Sequence, residues 1–383
     1  LQSTSSVVAE SVTRNGFDWF RARCNALLAS ERFRRWAAAF PLTRPIAQRR
    51  ARQLFDLCAG FVYSQILYAC VRLNLFETLA EGPLSAVALS QRLDLPMDAS
   101  LRLFNAAVSL RLLALTRDGR FCLGALGAPM VGNDAIKVMI EHHAMLYADL
   151  RDPVALLREG PRDSALGAYW AYARSSGDAD LQAAQVADYS VLMSASQPLV
   201  AEEILAAYPL RQHRCLLDVG GGEAKFLSAV AVRAPHLRLM LFDLPAVAER
   251  ARHRLAALGL SARSEVHGGS FHVDALPAGA DIISLVRVIH DHDDAAALAL
   301  LRSVKRALPR NGVVLIAEPM SATRGAEPIG DAYFGFYLWA MGSGQPRTPA
   351  QLRTLLEAAG FEQTRLIATR MPLQTRVMIA TTK

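Results

Sequence analysis

Cysteine is scarce in this chain of 383 residues. The five present, Cys24, Cys58, Cys70, Cys122 and Cys215, are odd in number, widely spread and never in a C-x-x-C pair. That pattern excludes a disulfide framework or a zinc ribbon and fits a reducing, cytoplasmic compartment. Long apolar runs are also lacking. The best candidate, Leu57 to Val71, is interrupted by Ser64 and Gln65 and stops at Arg72, short of the roughly 18 residues that a membrane span requires. No internal repeat or low-complexity segment is visible, and the apolar residues near the start are spaced, unlike those of a secretory signal. With 52% hydrophobic and 20% charged residues, the chain can build a large core, and wholesale disorder is excluded. At about 150 residues per domain, its length suggests two or three domains.

The net charge of +7 invites a nucleic-acid reading, but its placement argues otherwise. Residues 1–52 hold ten arginines against Glu10, Asp18 and Glu31, which is the whole excess; the other 331 residues carry 32 basic and 32 acidic side chains. The chain therefore reads as a basic arm, residues 1–50, joined to a neutral globule. Within the arm, Phe17, Phe20, Cys24, Leu27, Leu28 and Ala39 recur at helical spacing among arginines, Trp19, Phe33 and Trp36 widen the stripe, and Pro41 and Pro45 end it. Such a helix over residues 17–40 can lie on a bilayer surface, of the inner or photosynthetic membrane, with its guanidinium groups on headgroups. It can equally pack on a neighbouring domain or a partner subunit.

Residues 51–150 open with a long helical pattern from Ala51 to Leu79. A helix over Ala86–Leu93 and another from Asp98, as N-cap, to Leu113 follow, and then two short strands about Asp118-Gly119. That order outlines a winged helix. Its second helix carries only Arg102 and Arg111 among Leu101, Leu103, Phe104, Val108 and Leu110, too apolar to reach base edges, so no nucleic-acid partner is expected. Residues 151–212 read as a helical connector. From residue 213 strands alternate with helices: strands at Cys215–Val219, Leu237–Phe242, Ser264–His267, Asp281–Val288 and Val313–Glu318, helices at 223–234, 245–258, 293–308 and 349–359, and closing runs at 361–369 and 375–382. The fold class predicted is α/β, a Rossmann-like doubly wound sheet preceded by a mostly helical winged-helix domain.

The first strand of that sheet runs into Asp218-Val219-Gly220-Gly221-Gly222-Glu223-Ala224-Lys225. Glycines at a strand-to-helix turn let a ligand approach the backbone, but Lys225 stands where a dinucleotide fold needs its third glycine. Asp218 can instead receive a cationic amine. Asp243, at the tip of the second strand and followed by Leu244, lies 21 residues beyond Gly222 and is placed to bond ribose hydroxyls. A nucleoside carrying an amino acid fits both. The fourth strand leads into Arg287-Val288-Ile289-His290-Asp291-His292-Asp293-Asp294. H-x-H-x-D can be read as metal ligands, but His292 is the last histidine of the chain and no metal is expected. His290 is the candidate general base, with Glu318 at the end of the next strand placed to orient its ring; a helix-capping role for His290 is the alternative.

These motifs together resemble the small-molecule O-methyltransferases that use S-adenosylmethionine (SAM). The matching pieces are Asp218-Val219-Gly220-Gly221-Gly222, Phe242-Asp243-Leu244-Pro245, Gly269-Ser270-Phe271, His290-Asp291-His292-Asp293-Asp294, and Arg347-Thr348 ahead of Leu352–Phe361. The resemblance implies a winged-helix dimerisation domain and hence a homodimer. It also implies SAM as cofactor, with its methionine part on the glycine turn, its ribose on Asp243 and its adenine on Ser270 and Phe271. His290 would be the base. Departures are Ala224 for a glycine, Ser270 for an Asp, His292 for a Trp, and Pro346 where some plant members place a second Glu. Val286 replaces the plant Lys, with Arg287 beside it as a substitute.

Within that family, residues 37–45, 54–65 and 140–150 resemble the bacterial members that act on carotenoids. This implies an apolar, hydroxylated acceptor, the tertiary hydroxyl of a 1-hydroxycarotenoid. Aromatic residues from Tyr333 to Met341 suit a polyene, though an ordinary helix core has the same composition. A phenolic or tetrapyrrole acceptor, and a SAM-sensing winged-helix regulator, are the alternatives.

Overall fold

The computed structural model describes residues 18–162, 164–170 and 196–383. The chain forms two compact units that meet in sequence at Ala128 and Pro129. In the first, the arm pattern forms two helices, 18–29 and Glu31–Ala39, where the periodicity predicts one. The break is at Ser30, whose hydroxyl accepts the Phe33 amide and so caps the second helix. Phe17 lies outside the described residues. The helix expected from Ala51 begins earlier, at Arg44, because Pro45 sits in its first turn, where a missing N–H removes no bond.

That helix, Arg44–Arg72, is long and apolar enough to cross a membrane by length and composition alone, a property the interrupted apolar run conceals. It ends just before Asn74, which is left-handed at φ 50°, and a short helix, Leu75–Ala80, follows. Leu75, Phe76 and Leu79 are buried, as are Leu89 of helix Ala86–Arg92 and Phe104 of helix Met97–Ser109. The last helix starts one residue before Asp98, so Asp98 is a first-turn acid facing the helix dipole and Pro96 holds the cap position. Strands β1 (Leu113–Leu115) and β2 (Phe121–Leu123) pair antiparallel, and Phe121 packs on Phe104 at 5.1 Å.

The second unit is built on one sheet of seven strands. These are β3 (Cys215–Val219), β4 (Arg238–Asp243), β5 (Ser264–Gly268), β6 (Ile282–Val286), β7 (Val313–Glu318), β8 (Glu362–Ile367) and β9 (Arg376–Thr381). Their order is β5-β4-β3-β6-β7-β9-β8, parallel except for β9, which runs antiparallel to both neighbours. The inner strands β3, β6 and β7 are buried along their whole length, as their mostly apolar sequences require, and the polar residues buried with them are Asp218, Ser284 and Glu318. Separate apolar clusters cover the two faces. Helix Asp134–Asp149, which the sequence places with the first domain, lies within the second unit. Chain order reverses between β3 and β6, and the crevice at their carboxyl ends is where such sheets bind ligands.

Candidate active site

The turn after β3 is shaped by left-handed residues, Gly220 at φ 68° and Gly222 at φ 55°. A side chain at Gly220 would meet Val288 Cγ2 at 2.8 Å, so this glycine is needed for packing on the β6 side. Ala224 is also left-handed, at φ 59°, a conformation that glycine adopts without cost; the strain in an L-residue is about 1–2 kcal/mol.

Asp218 is buried at the end of β3. Its Oδ1 accepts the Ser284 hydroxyl at 2.6 Å, while Oδ2 has no partner among the described residues. Burial pushes its carboxyl up to about 7, so a cation brought to Oδ2 would favour the ionised form. Asp243 joins the β4 tip to the glycine turn: Oδ2 accepts the Gly222 amide at 2.8 Å and Oδ1 the Leu244 amide at 2.7 Å. Burial still raises it, to about 6. Each of its oxygens keeps a lone pair able to accept a hydroxyl. The cradle therefore fits SAM: an unpartnered carboxylate oxygen for the ammonium group and a fixed carboxylate for the ribose.

Ser270 donates its amide to Asp274, and its hydroxyl accepts the His272 amide. The Phe271 ring lies 4.7 Å from His272 and 5.3 Å from His292. Arg287, left-handed at φ 57°, directs its guanidinium to the Ser196 hydroxyl at 2.8 Å and to the Gln197 amide oxygen.

His290 sits in a single tight turn, Ile289–Asp291, beyond β6. Its backbone amide donates to Glu318 Oε2 at 3.0 Å. The bond shown for Glu318 thus runs to the main chain, and the carboxyl group that meets the ring is Asp291, 3.3 Å from Nε2. The tight turn folds residue 291 back over its neighbour, which a strand-like reading of that segment does not reveal. Nδ1 is buried and has no partner among the described residues, and neither has Glu318 Oε1. Burial, reinforced by Arg287, His292 and Arg347, lowers the ring to about 3, so it is neutral and basic in form at physiological pH. Burial raises Glu318 to about 7; burial and then the Glu318 charge raise Asp291 to about 8. His292 turns elsewhere, onto Phe271 and His272, and among the described residues no three His, Cys, Asp or Glu side chains group as metal ligands.

Phe334 packs on the His290 ring at 5.8 Å. It ends a π-helical segment, Pro328–Phe334, that continues as helix Gly335–Met341. The hydroxyls of this aromatic stretch are tied back. Tyr337 is bonded to His142 at 2.7 Å and to the Trp170 indole at 2.8 Å, and Tyr333 to His143 at 2.7 Å. Tyr337, Leu338, Ala340 and Met341 belong to a buried cluster with Leu146, Leu166 and Trp170, whereas Phe336 and Trp339 reach solvent.

The sequence profile of an O-methyltransferase domain matches residues 147–362, and that of an O-methyltransferase dimerisation domain matches residues 55–129. The chain belongs to the SAM-dependent O-methyltransferases. It is 43% identical to the demethylspheroidene O-methyltransferase of Cereibacter sphaeroides over 89% of each chain. It is 37% identical to the protein of the same name in Rhodobacter capsulatus, over 92% of this chain and 87% of that one. Among solved structures, a methyltransferase of calicheamicin biosynthesis in its SAH-bound form superposes with a TM-score of 0.73. It is 25% identical and covers 88% of this chain and 99% of its own. This methyltransferase thus uses SAM and a hydroxylated small-molecule acceptor, and its dimerisation domain fits a homodimer.

Proposed function

We propose that this methyltransferase methylates the tertiary hydroxyl of a 1-hydroxycarotenoid, with His290 as general base. The observation that carries the acceptor class is the similarity to two demethylspheroidene O-methyltransferases over nearly the whole chain. The aromatic stretch beside His290 supports it. With the Tyr333 hydroxyl occupied by His143 and the half-buried Phe334 ring against His290, this stretch offers aromatic surface rather than free donors, which suits a polyene.

SAM supplies a methyl group already activated by the sulfonium charge, so the protein's tasks are alignment and proton removal. Asp218 and the turn from Gly220 to Gly222 would hold the methionine part, Asp243 with the Leu244 amide beneath it the ribose, and Ser270 and Phe271 the adenine. Arg287 would steady this cleft through Ser196 and Gln197. A tertiary alcohol is too weakly acidic to be ionised in advance by an imidazole, so His290 takes the proton as the oxygen attacks, or after. Nδ1 is the nitrogen left open for it. Asp291 lies 3.3 Å from Nε2 on the other side of the ring, and Glu318 holds the turn by its backbone.

The domain plan proposed is an arm over residues 1–50, a dimerisation domain over 51–128, a connector over 129–212 and a SAM-binding domain over 213–383; the division after Ala128 favours this shorter second domain over one that runs to 150. The arm is assigned to peripheral contact with an anionic membrane, where a polyene acceptor is dissolved. Its described arginines are all exposed, and so are Trp19, Phe20, Leu27 and Trp36. Transfer of label from SAM to 1-hydroxycarotenoids, phenols and tetrapyrroles, assayed in parallel, tests the acceptor. Methylation of the phenols or tetrapyrroles alone overturns the carotenoid assignment, and salt-dependent DNA binding without any transfer overturns the enzyme reading.

A further inference from the structure

The turn that carries His290 is held by a segment remote in sequence. Four successive carbonyls, from Ile289 to His292, each accept a hydrogen bond from residues 343–347. Arg347 Nη1 donates to Ile289 O at 2.9 Å, the Gln345 amide to His290 O at 2.9 Å, Ser343 Oγ to Asp291 O at 2.8 Å, and Arg347 Nη2 to His292 O at 2.8 Å. Arg347 Nε and Gln345 Nε2 also both reach Asp294 Oδ1 at 2.8 Å, at the start of the following helix. The approach is so close that a Cβ on Gly344 would stand 2.2 Å from His290 O. Arg347 is only 1% exposed. A guanidinium withdrawn from water costs several kcal/mol unless its donors are well matched, and here they are matched to main-chain oxygens of one turn.

The grip closes on itself. Arg347 O accepts the Ser321 amide at 3.0 Å, and the Ser321 hydroxyl donates to Pro346 O. Ser321 lies three residues beyond Glu318, which takes the amide of His290. The turn is therefore held by its carbonyls on one side and by its amide on the other, with one holder, Glu318, at the end of β7 and the other tied to Ser321 just past it.

We propose that Arg347 is a positioning residue for catalysis: its planar guanidinium, with Gly344 and Gln345, sets the His290 ring in register with the acceptor. This rests on the reading of His290 as base. A lysine at 347 keeps the charge but presents a point donor that cannot span Ile289 O and His292 O together. A displacement of the base of about 1 Å is enough for a loss near 100-fold.

The experiment compares Arg347→Lys, Arg347→Met and His290→Ala in the full chain, by turnover, SAM dissociation constant and the pH profile of kcat. The expected result for Arg347→Lys is a kcat lower by roughly 10- to 100-fold, with SAM affinity within about twofold of wild type and an unmoved acid limb. Arg347→Met should lose as much and shift the acid limb upward, since one of the positive charges that lower the His290 ring is gone. If Arg347→Met does not fold, Ser343→Ala, which removes one carbonyl bond without touching charge, takes its place with a smaller expected loss of kcat. A kcat within twofold of wild type in Arg347→Lys overturns the proposal, as does a loss matched by an equal loss of SAM affinity. His290→Ala separates the two readings. If it keeps full turnover, the base assignment fails; if it is inactive while Arg347→Lys is normal, only the positioning role fails.

Discussion

In the arm, Trp19, at 61% exposure, stands in solvent with Phe20, Leu27 and Trp36 among exposed arginines, and Arg23 lies over the Trp19 ring. In the crevice of the sheet the arrangement is reversed. Apolar side chains are packed away, and the carboxyl groups of Asp218, Asp243, Asp291 and Glu318 are withdrawn with them, each raised by burial into the range from about 6 to about 8. A group held out of water without its counterion is primed to bind or exchange one. An amphipathic surface left in water is primed for a partner that will desolvate it. The sheet domain holds titratable groups out of water; the arm holds apolar ones in it.

Removal of the base bears hardest on the sheet side of that comparison. His290→Ala is expected to reduce turnover by roughly 10²- to 10⁴-fold while leaving SAM affinity nearly intact, by methyl-transfer kinetics and calorimetry. On the arm side, deletion of residues 1–50 should abolish sedimentation with anionic liposomes and preserve SAM binding; unchanged sedimentation would return the arm to packing on protein. Asp243→Ala has the opposite signature to His290→Ala. It should weaken SAM binding by roughly 10- to 100-fold, from the loss of hydrogen bonds to a charged group of about 1.5–3 kcal/mol, and an unaltered dissociation constant would refute the ribose assignment.

A pH series sharpens the point about buried charge. Asp218 is raised to about 7, so it is protonated below that pH in the free protein, and binding a cation requires the proton to leave. SAM affinity should be full above about 7 and fall roughly tenfold per unit below it, with Asp243 adding its own loss below about 6; Asp218→Asn should flatten the upper part of the profile. The smallest effect expected is from Ala224→Gly. Relief of left-handed strain there offsets the greater freedom of glycine in the unfolded chain, so denaturation should show no loss and a gain of up to about 1 kcal/mol.

Much of the sheet is legible from local pattern. The central strands are buried on both faces and therefore read as mostly apolar runs, and β3 and β7 match their predicted bounds at both ends. Punctuation misleads more in the first unit. Pro45 reads as a stop and is a start, Ser30 reads as an interior residue and is a cap, and Asn74 breaks a helix without glycine or proline to announce it. The candidate site divides in the same way. Asp218, Asp243 and His290 lie at strand ends, where a doubly wound sheet puts its ligands, and topology alone points to them. Arg347 stands out only as a motif residue, because its partners are 53 to 58 positions away.

The sequence by itself determined the alternation of strands and helices, the glycine turn, the acids at the strand tips and the segregation of all excess charge into the arm. Each follows from neighbours within a few residues, or from simple counting. Only the tertiary structure decided that Asp291, and not Glu318, meets the imidazole, that Glu318 and Arg347 hold the turn by its backbone, and that His142 and His143 occupy the hydroxyls of Tyr337 and Tyr333. Those are choices of hydrogen-bond partner made where water is excluded. Each buried donor or acceptor must settle with whatever the packing of distant segments brings within about 3 Å, and that proximity is not encoded in any local stretch of chain.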